Sequence, residues 1–586
     1  MKARWLPTWL ATYDRGKAAQ DLVAGIVVTI LLVPQSLAYA MLAGLPPHVG
    51  MYASILPLVA YAVLGSSMTL SVGPVAVASL MTASAVAPLA AAGSAEYVLL
   101  AMLLALMGGV VLLLLGLLRM GFVANLLSHP VISGFVTGSA VLIALGQLKP
   151  LLGTPARGET ALELTVSLFS RAGDLHLPTA VLGLSSVLAL WASRRFLAGG
   201  LRRAGMGTKS AEILAKLAPM VVVLLAIAAV VALRLDTDAG VAVVGSIPAG
   251  LPSLAFTLPT TGQLQALAVP AVMIALIGFV ESVSVAQSLA IKRGERINPD
   301  AELRGLGAAN LASAMSGGFP VTGGFARSVV NFAAGARTPL AGVIAAVFMG
   351  VVLLGLTGLF ERLPLAVLAA TIIVAVVGLV DFATVRHAWH YDRADAVAWL
   401  VTALGVLALG VEAGVGLGVA MSIGTFLWRA SRPHIAVVGR VGDSEHFRNE
   451  RRFAVRTYPG LLLMRVDESL FFANMPAVLG RIEEEIERQG DTRHLVLDLS
   501  SVSHIDLTAV EALQRLHADL RERAIELHLA EVRGPVMDRL EQTELPRKLA
   551  HKPFLSLHEA TGALVPAASR QPASPLPKTT PARSHA

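Results

Sequence analysis

The sequence contains no cysteine, which excludes disulfides, thiolate metal sites and cysteine nucleophiles. Charge is scarce too: 15% of the 586 residues are Asp, Glu, Lys or Arg and 5% are aromatic, against 55% hydrophobic. Soluble domains carry about 25% charged residues. No grouping of residue types resembles a catalytic constellation, so an enzyme is not expected, and no cofactor or metal is called for. The net charge of +7 invites a nucleic-acid reading. In so apolar a chain, however, basic residues mainly set membrane topology, and no nucleic-acid partner is expected. What is present is a series of apolar runs of about 20 residues, the length that crosses a bilayer core; 21–41 and 97–118 are two of them. The first run is too long for a secretory signal and more follow it. The chain reads as a polytopic α-helical membrane protein.

Segment 1–20 is basic (Lys2, Arg4, Arg15, Lys17) and carries Trp5 and Trp9, which suits an interfacial cytoplasmic stretch. Spans follow at 21–44, 51–64, 66–81, 97–118, 131–148, 178–197, 217–233, 267–291, 306–315, 319–331, 340–359, 363–379, 394–409 and 411–428, a transmembrane region of 21–430. Pro34 removes a backbone hydrogen bond in mid-span and predicts a kink or break. Gln35 and Tyr39, four residues apart, share a helix face. Fourteen spans with both termini in the cytoplasm require basic loops after even-numbered spans. The clusters at 194–216, 292–304 and 386–393 obey this, whereas the loop at 149–174 balances Arg157 with Glu159 and Glu163.

The most informative stretch is 319–331, FPVTGGFARSVVN. Gly, Pro and Thr break an apolar run, and Gly323 to Ser328 reads as a helix N-terminus aimed at an anion, with Arg327 beside it. Glu281 is the only acid in its span, with Gly278, Ser284 and Ser288 on one face. A charge at membrane depth is a functional-site hypothesis by default, and Glu281 is the proton-sensitive neighbour. The blander alternative is a permanent Glu281–Arg327 ion pair that only ties helices together. The halves echo each other: Val72-Gly73-Pro74, before a short helix starting near Val75, matches Val321-Thr322-Gly323. Gly/Pro-interrupted segments at matching positions point to a transporter binding site within an inverted repeat. Glu412 and His48 read as structural and loop residues.

Beyond 430 the pattern changes. A linker (431–450) leads to an α/β domain (451–562) with strands at 461–474, 494–500 and 525–531 and helices at 476–488 and 507–523. The tail, 563–586, is Pro-, Ala- and Ser-rich and expected to be disordered.

Four stretches carry a family resemblance: VPQSLAYAMLAGLPP (33–47), ESVSVAQ (281–287), FPVTGGFARSVVN (319–331) and VLDLSSVSHIDLTAVEAL (496–513). The chain resembles, over roughly residues 20 to 560, the SulP anion permeases (sulfate permease-like, solute carrier family 26-like) with a C-terminal STAS domain. The resemblance implies a 7+7 inverted repeat of core and gate domains, a homodimer in the cell membrane, and small anions as substrates. It implies that Gln35 contacts the anion, with Tyr39 four residues on. It also implies that backbone N–H groups near Val75, Ala76, Ala326 and Arg327, extending to Ser328, form two facing half-helix termini. Many relatives have Ser where this chain has Ala326, which shifts coordination toward the backbone. Glu281 falls at the proton-coupling carboxylate of sulfate transporters. Ile277 replaces the second acid of sodium-dependent relatives, which disfavours sodium. In the STAS-like part, Thr508 falls at a regulatory phosphosite, the blander alternative being an N-cap threonine, and a cytoplasmic protein partner is implied. The expectation is proton-coupled sulfate symport by an elevator-type movement. The alternatives are a bicarbonate or dicarboxylate (fumarate, succinate) carrier and an uncoupled anion channel.

Overall fold

The structure is a computed structural model and describes residues 9–10, 13–125, 128–156, 158, 160–208, 211, 214–215, 217–252, 254, 258 and 260–566. Lys2, Arg4, Trp5, Arg157, Glu159, Lys209, Lys216 and the tail from 567 lie outside the described residues, as does the side chain of Glu412. The chain divides into two compact units, Met1–Ser422 and Ile423–Ala586.

The first unit is helical. Its first half contains α1 (Arg15–Leu42), α2 (Pro47–Tyr52), α3 (Leu56–Leu64), the two-residue strand β1 (Val72–Gly73), α4 (Ala76–Val86), α5 (Ala95–Leu117), α6 (His129–Leu152), α7 (Ala161–Ser170), α8 (Leu177–Ala192), α9 (Ala198–Arg203) and α10 (Ala218–Leu233). The second contains α11 (Thr261–Ile291), α12 (Pro299–Met315), β2 (Thr322–Gly323), α13 (Phe325–Ala333), α14 (Leu340–Gly355), α15 (Leu365–Val377), α16 (Phe382–Tyr391), α17 (Arg393–Leu409) and α18 (Val411–Ala430). Among the described residues, seven helical stretches are long and apolar enough to cross a membrane, and several more are shorter apolar helices.

Of the kink or break expected at Pro34, no break occurs: α1 continues through it, because losing one N–H is tolerable where neighbouring helices pack around the freed backbone. Two further expectations are corrected. The span read at 51–64 is two helices, α2 and α3, separated at Ala53 to Ile55. The loop at 149–174 contains α7, whose N-cap Thr160 accepts from the Glu163 N–H.

Helices approach closely where side chains are absent. A Cβ on Gly109 of α5 would stand 2.9 Å from the Leu311 nitrogen of α12, and one on Gly134 of α6 would stand 2.5 Å from the Trp399 carbonyl of α17. Such small-residue crossings are how helices pack in lipid, where the hydrophobic effect gives little drive between them. Two groups result: α3, α5, α11 and α12 pack on one another, and α6, α8, α15 and α17 form the other. Helices α4 and α13 have 11 and 9 residues. At 1.5 Å per residue each covers roughly half of a bilayer core.

The second unit is an α/β fold with a five-stranded sheet of order β4-β3-β5-β6-β7. Its strands are β3 (Ile435–Arg440), β4 (Phe447–Asn449), β5 (Leu461–Val466), β6 (His494–Asp498) and β7 (Glu526–Ala530), with β5, β6 and β7 parallel. The stretch 431–450, expected as a linker, therefore holds two sheet strands, and the fold begins at Ile435 rather than at 451. The helices α19 (Met475–Gln489) and α20 (Leu507–Glu522) bury one face each against the core of Val478, Ile482, Leu513 and Leu520.

Candidate functional site

The two chain breaks meet. Val72 pairs with Gly323 and Gly73 with Thr322, antiparallel, so β1 and β2 lie side by side with α4 and α13 leaving from them. Short strands inside a membrane unit strand their backbone groups unless side chains satisfy them. Asn310 of α12 does this for Val321, donating to its carbonyl at 2.8 Å and accepting from its N–H at 2.9 Å. Ser282 of α11 accepts from the Gly323 N–H at 2.8 Å and lies 2.6 Å from the Thr322 hydroxyl, which itself donates to the Gly278 carbonyl at 2.7 Å. Asn331 donates to the Thr69 carbonyl at 3.0 Å, and the Gly324 N–H donates to the Ser71 carbonyl at 3.0 Å.

Both short helices present free N-termini. In α4 the first backbone N–H to find a helical acceptor is that of Ser79, on the Val75 carbonyl. In α13 it is that of Ser328, on the Gly324 carbonyl. The N–H groups of Ala76 and of Phe325, Ala326 and Arg327 therefore lie ahead of the helical ladder, where a positive dipole end favours an anion. Neither helix has a side-chain cap.

Arg327 lies between them. It is only 2% exposed, and its Nη1 donates to the Pro74 carbonyl at 2.6 Å, while Nε and Nη2 have no partner among the described residues. The guanidinium runs so near the chain that a Cβ on Gly324 would stand 3.0 Å from Nη2 and one on Gly73 3.2 Å. A buried cation with two unused donors, at two helix ends that repel cations, is costly unless an anion joins it.

Gln35 and Ala326 line a cavity of about 340 Å³ that continues this site. Leu190, Ser193, Arg194, Thr371 and Val374 also line it, so the cavity lies where α1 and α13 meet α8 and α15. Arg194 sits in a π-helical turn (Ser193–Leu197) continuing α8 and donates to the Val374 carbonyl. It is a second cation at the cavity that the sequence reading assigned only to topology. Helical turns of this kind are frequent at functional sites.

The remaining expected residues are placed differently. Val75 and Ala76 are buried at the start of α4. Tyr39 is buried on α1. Ser328 has its hydroxyl fully engaged, donating to the Gly324 carbonyl at 2.7 Å and accepting from the Ser71 N–H at 2.9 Å, so it binds the two breaks together. Glu281 makes no ion pair with Arg327, nor any hydrogen bond, among the described residues. It lies in an apolar crevice with Val131, Phe135, Val280, Thr402 and Val419, where α11 meets α6, α17 and α18. The polar face of α11 that grips the break is Ser282, not Ser284, whose hydroxyl donates to its own helix at Val280. Glu302 of α12, fully buried, is the opposite case. Its carboxylate accepts from the Tyr61 hydroxyl (2.7 Å), the Ser66 N–H and hydroxyl (2.8 and 2.6 Å) and the Ser67 N–H (2.9 Å). In the α/β unit the N-cap of α20 is Asp506, which accepts from Ala509 and Phe472 N–H groups at 2.8 Å each. Thr508 is therefore not the N-cap; it is exposed in the first helical turn.

Comparison with known proteins places this geometry. Residues 19–402 match the model of the sulfate permease family, and 452–560 match the STAS domain. "Sulfate transporter 4.1, chloroplastic" of Arabidopsis thaliana is 34% identical over 89% of this chain and 76% of its own length. A probable sulfate transporter of Mycobacterium tuberculosis is 34% identical over 96% of this chain and 98% of its own. Among solved structures, murine solute carrier 26 family member A9, an anion transporter in the inward-facing state, superposes with a TM-score of 0.87 at 22% identity, covering 95% of this chain and 94% of that one. The transmembrane domain of the cyanobacterial bicarbonate transporter BicA gives 0.59 at 25% identity, covering 69% and 99%.

Proposed function

The chain belongs to the sulfate permease family and carries a STAS domain, and on that premise we propose that it is a secondary transporter of sulfate or a similar small anion, coupled to protons. The observation that carries this reading is Arg327, buried between two half-helix N-termini with Nε and Nη2 unpartnered. Those donors and the adjacent free N–H groups fit a tetrahedral oxyanion better than any cation or apolar solute. The antiparallel pairing of matching breaks supports a 7+7 inverted repeat. The division of the helices into two packed groups supports core and gate domains moving as an elevator. A homodimer in the cell membrane with cytoplasmic termini, and Thr508 or a protein partner acting through the STAS domain, belong to the same reading.

Proton coupling is assigned to Glu281. Its carboxylate stands at the seam of the two groups without a fixed partner, so its surroundings change when one group moves past the other. Protonation removes a negative charge near an arriving dianion, so proton and anion bind together. Uptake into proteoliposomes of purified protein should rise as external pH falls, and Glu281→Gln, a mimic of the protonated acid, should transport with a flat pH profile. Failure of acid to stimulate the wild type, or an unchanged profile in the variant, would sink this assignment. The likeness of the transmembrane unit to the BicA domain places bicarbonate, with fumarate and succinate, in the competition panel. Saturating anion currents without proton movement would favour the channel reading.

Arg194 contributes at longer range. Charges lining a cleft raise the local concentration of a counter-ion, and the effect is screened by salt. Arg194→Gln should raise the half-saturating sulfate concentration about 3- to 10-fold at low ionic strength, with the gap closing as salt is added. A gap independent of salt would instead assign Arg194 a purely local role.

A further inference from the structure

Across the last two strands of the α/β sheet, three Lewis-basic side chains converge. His494 and Glu526 are directly opposed in the β6–β7 register, and His528, two residues along β7, points to the same face. His494 Nδ1 is 3.2 Å from His528 Nε2 and 3.3 Å from Glu526 Oε2, and His528 Nε2 is 3.6 Å from Glu526 Oε2. Three donors each about 2.0–2.1 Å from a tetrahedral ion stand about 3.4 Å apart, so this triangle has the size of one face of such a site. We propose that His494, Glu526 and His528 bind one divalent transition-metal ion, zinc above all, which clamps β6 to β7.

The chemistry of the set agrees. Two imidazole nitrogens and a carboxylate suit zinc and disfavour calcium or magnesium, which prefer all-oxygen shells. The His528 side chain is fully buried, so a ligand atom there is shielded from competing water. The side chains of His494 and Glu526 are 29% and 53% exposed, which leaves an entry path from solvent. Water fills the fourth position of such a site. The competing arrangement is a proton-shared His–His–Glu cluster that holds no metal.

The proposal is independent of the transport reading, and its test uses the purified full-length chain, freed of any affinity tag and dialysed against Zn²⁺ or Co²⁺ alone. One zinc per chain with submicromolar affinity is expected, together with the strong visible absorption of tetrahedral Co²⁺. His494→Ala and Glu526→Gln together should weaken binding at least about 100-fold, while His446→Ala, an exposed histidine elsewhere in the unit, should not. Both altered positions are part-exposed, and circular dichroism checks that the fold survives. If the double variant does not fold, the wild-type stoichiometry and Co²⁺ spectrum decide by themselves. Substoichiometric zinc, a weak octahedral Co²⁺ spectrum, or unchanged affinity in the double variant would overturn the site in favour of the proton-shared cluster.

Discussion

Replacing Arg327 with glutamine should weaken sulfate binding about 100-fold or more and abolish measurable uptake. A hydrogen bond to a charged group contributes about 1.5–3 kcal/mol, and Nε and Nη2 are both unpartnered. Each 1.4 kcal/mol is about a factor of ten in affinity. The variant should still fold, because it removes a buried charge rather than creating one, and only the Nη1 bond to the Pro74 carbonyl is lost. Arg327→Lys keeps the charge but not the planar fork, and it should recover part of the affinity without the selectivity for tetrahedral oxyanions. Anion-dependent thermal stabilisation in detergent separates binding from uptake. Sulfate stabilisation and uptake within threefold of wild type in the glutamine variant would remove Arg327 from the site.

The other large effect falls on folding. Glu302→Ala should abolish a monodisperse, folded product, with Glu302→Gln intermediate. Four donors converge on this carboxylate, two of them the backbone N–H groups of Ser66 and Ser67 in the approach to β1. The Tyr61 hydroxyl and the Ser67 N–H would be left buried without a partner at about 1–3 kcal/mol each, with less from the half-buried Ser66 donors, together a large share of the stability of a typical domain. Glutamine retains one oxygen and restores part of the set. Size-exclusion profiles and thermal unfolding of the three proteins measure this. An alanine variant as stable as wild type would show that Ser66 and Ser67 find other acceptors. The two acids thus divide by their neighbours: Glu302 is surrounded by donors and holds structure, while Glu281 makes no hydrogen bond among the described residues.

The sequence made the site's location legible because membrane chains rarely interrupt an apolar run without cause. Gly, Pro and Thr in 319–331, echoed by Val72-Gly73-Pro74, marked both breaks, and their pairing follows. The supporting side chains were not legible. Ser282, Asn310 and Asn331 are ordinary polar residues whose importance comes from the backbone groups that face them across the fold. Arg194 was concealed among basic residues that any topology rule would claim. Glu302 sits in the first turn of a helix after a charged loop, where acids are common, and burial alone distinguishes it. In the α/β unit, β3 and β4 escaped notice because β4 is three residues long and charged residues flank it. The cap falls on Asp506 rather than Thr508 because the helix already begins at Leu507, and the Asp506 carboxylate accepts from the Ala509 N–H three residues on.

The junction at β1 and β2 has a consequence for how an anion can pass. Strand pairing, the Ser328 bridge, the Asn331 amide and the Arg327–Pro74 bond weld the two half-helices into one piece. A piece joined in so many places does not release its cargo by coming apart. On the transport reading proposed above, an anion meets the same donors in the same arrangement whichever compartment the piece faces, so the intrinsic affinity on the two sides should be equal. On that reading, any direction in the traffic comes from the gradients on either side and from the proposed proton coupling at Glu281, not from the cradle itself.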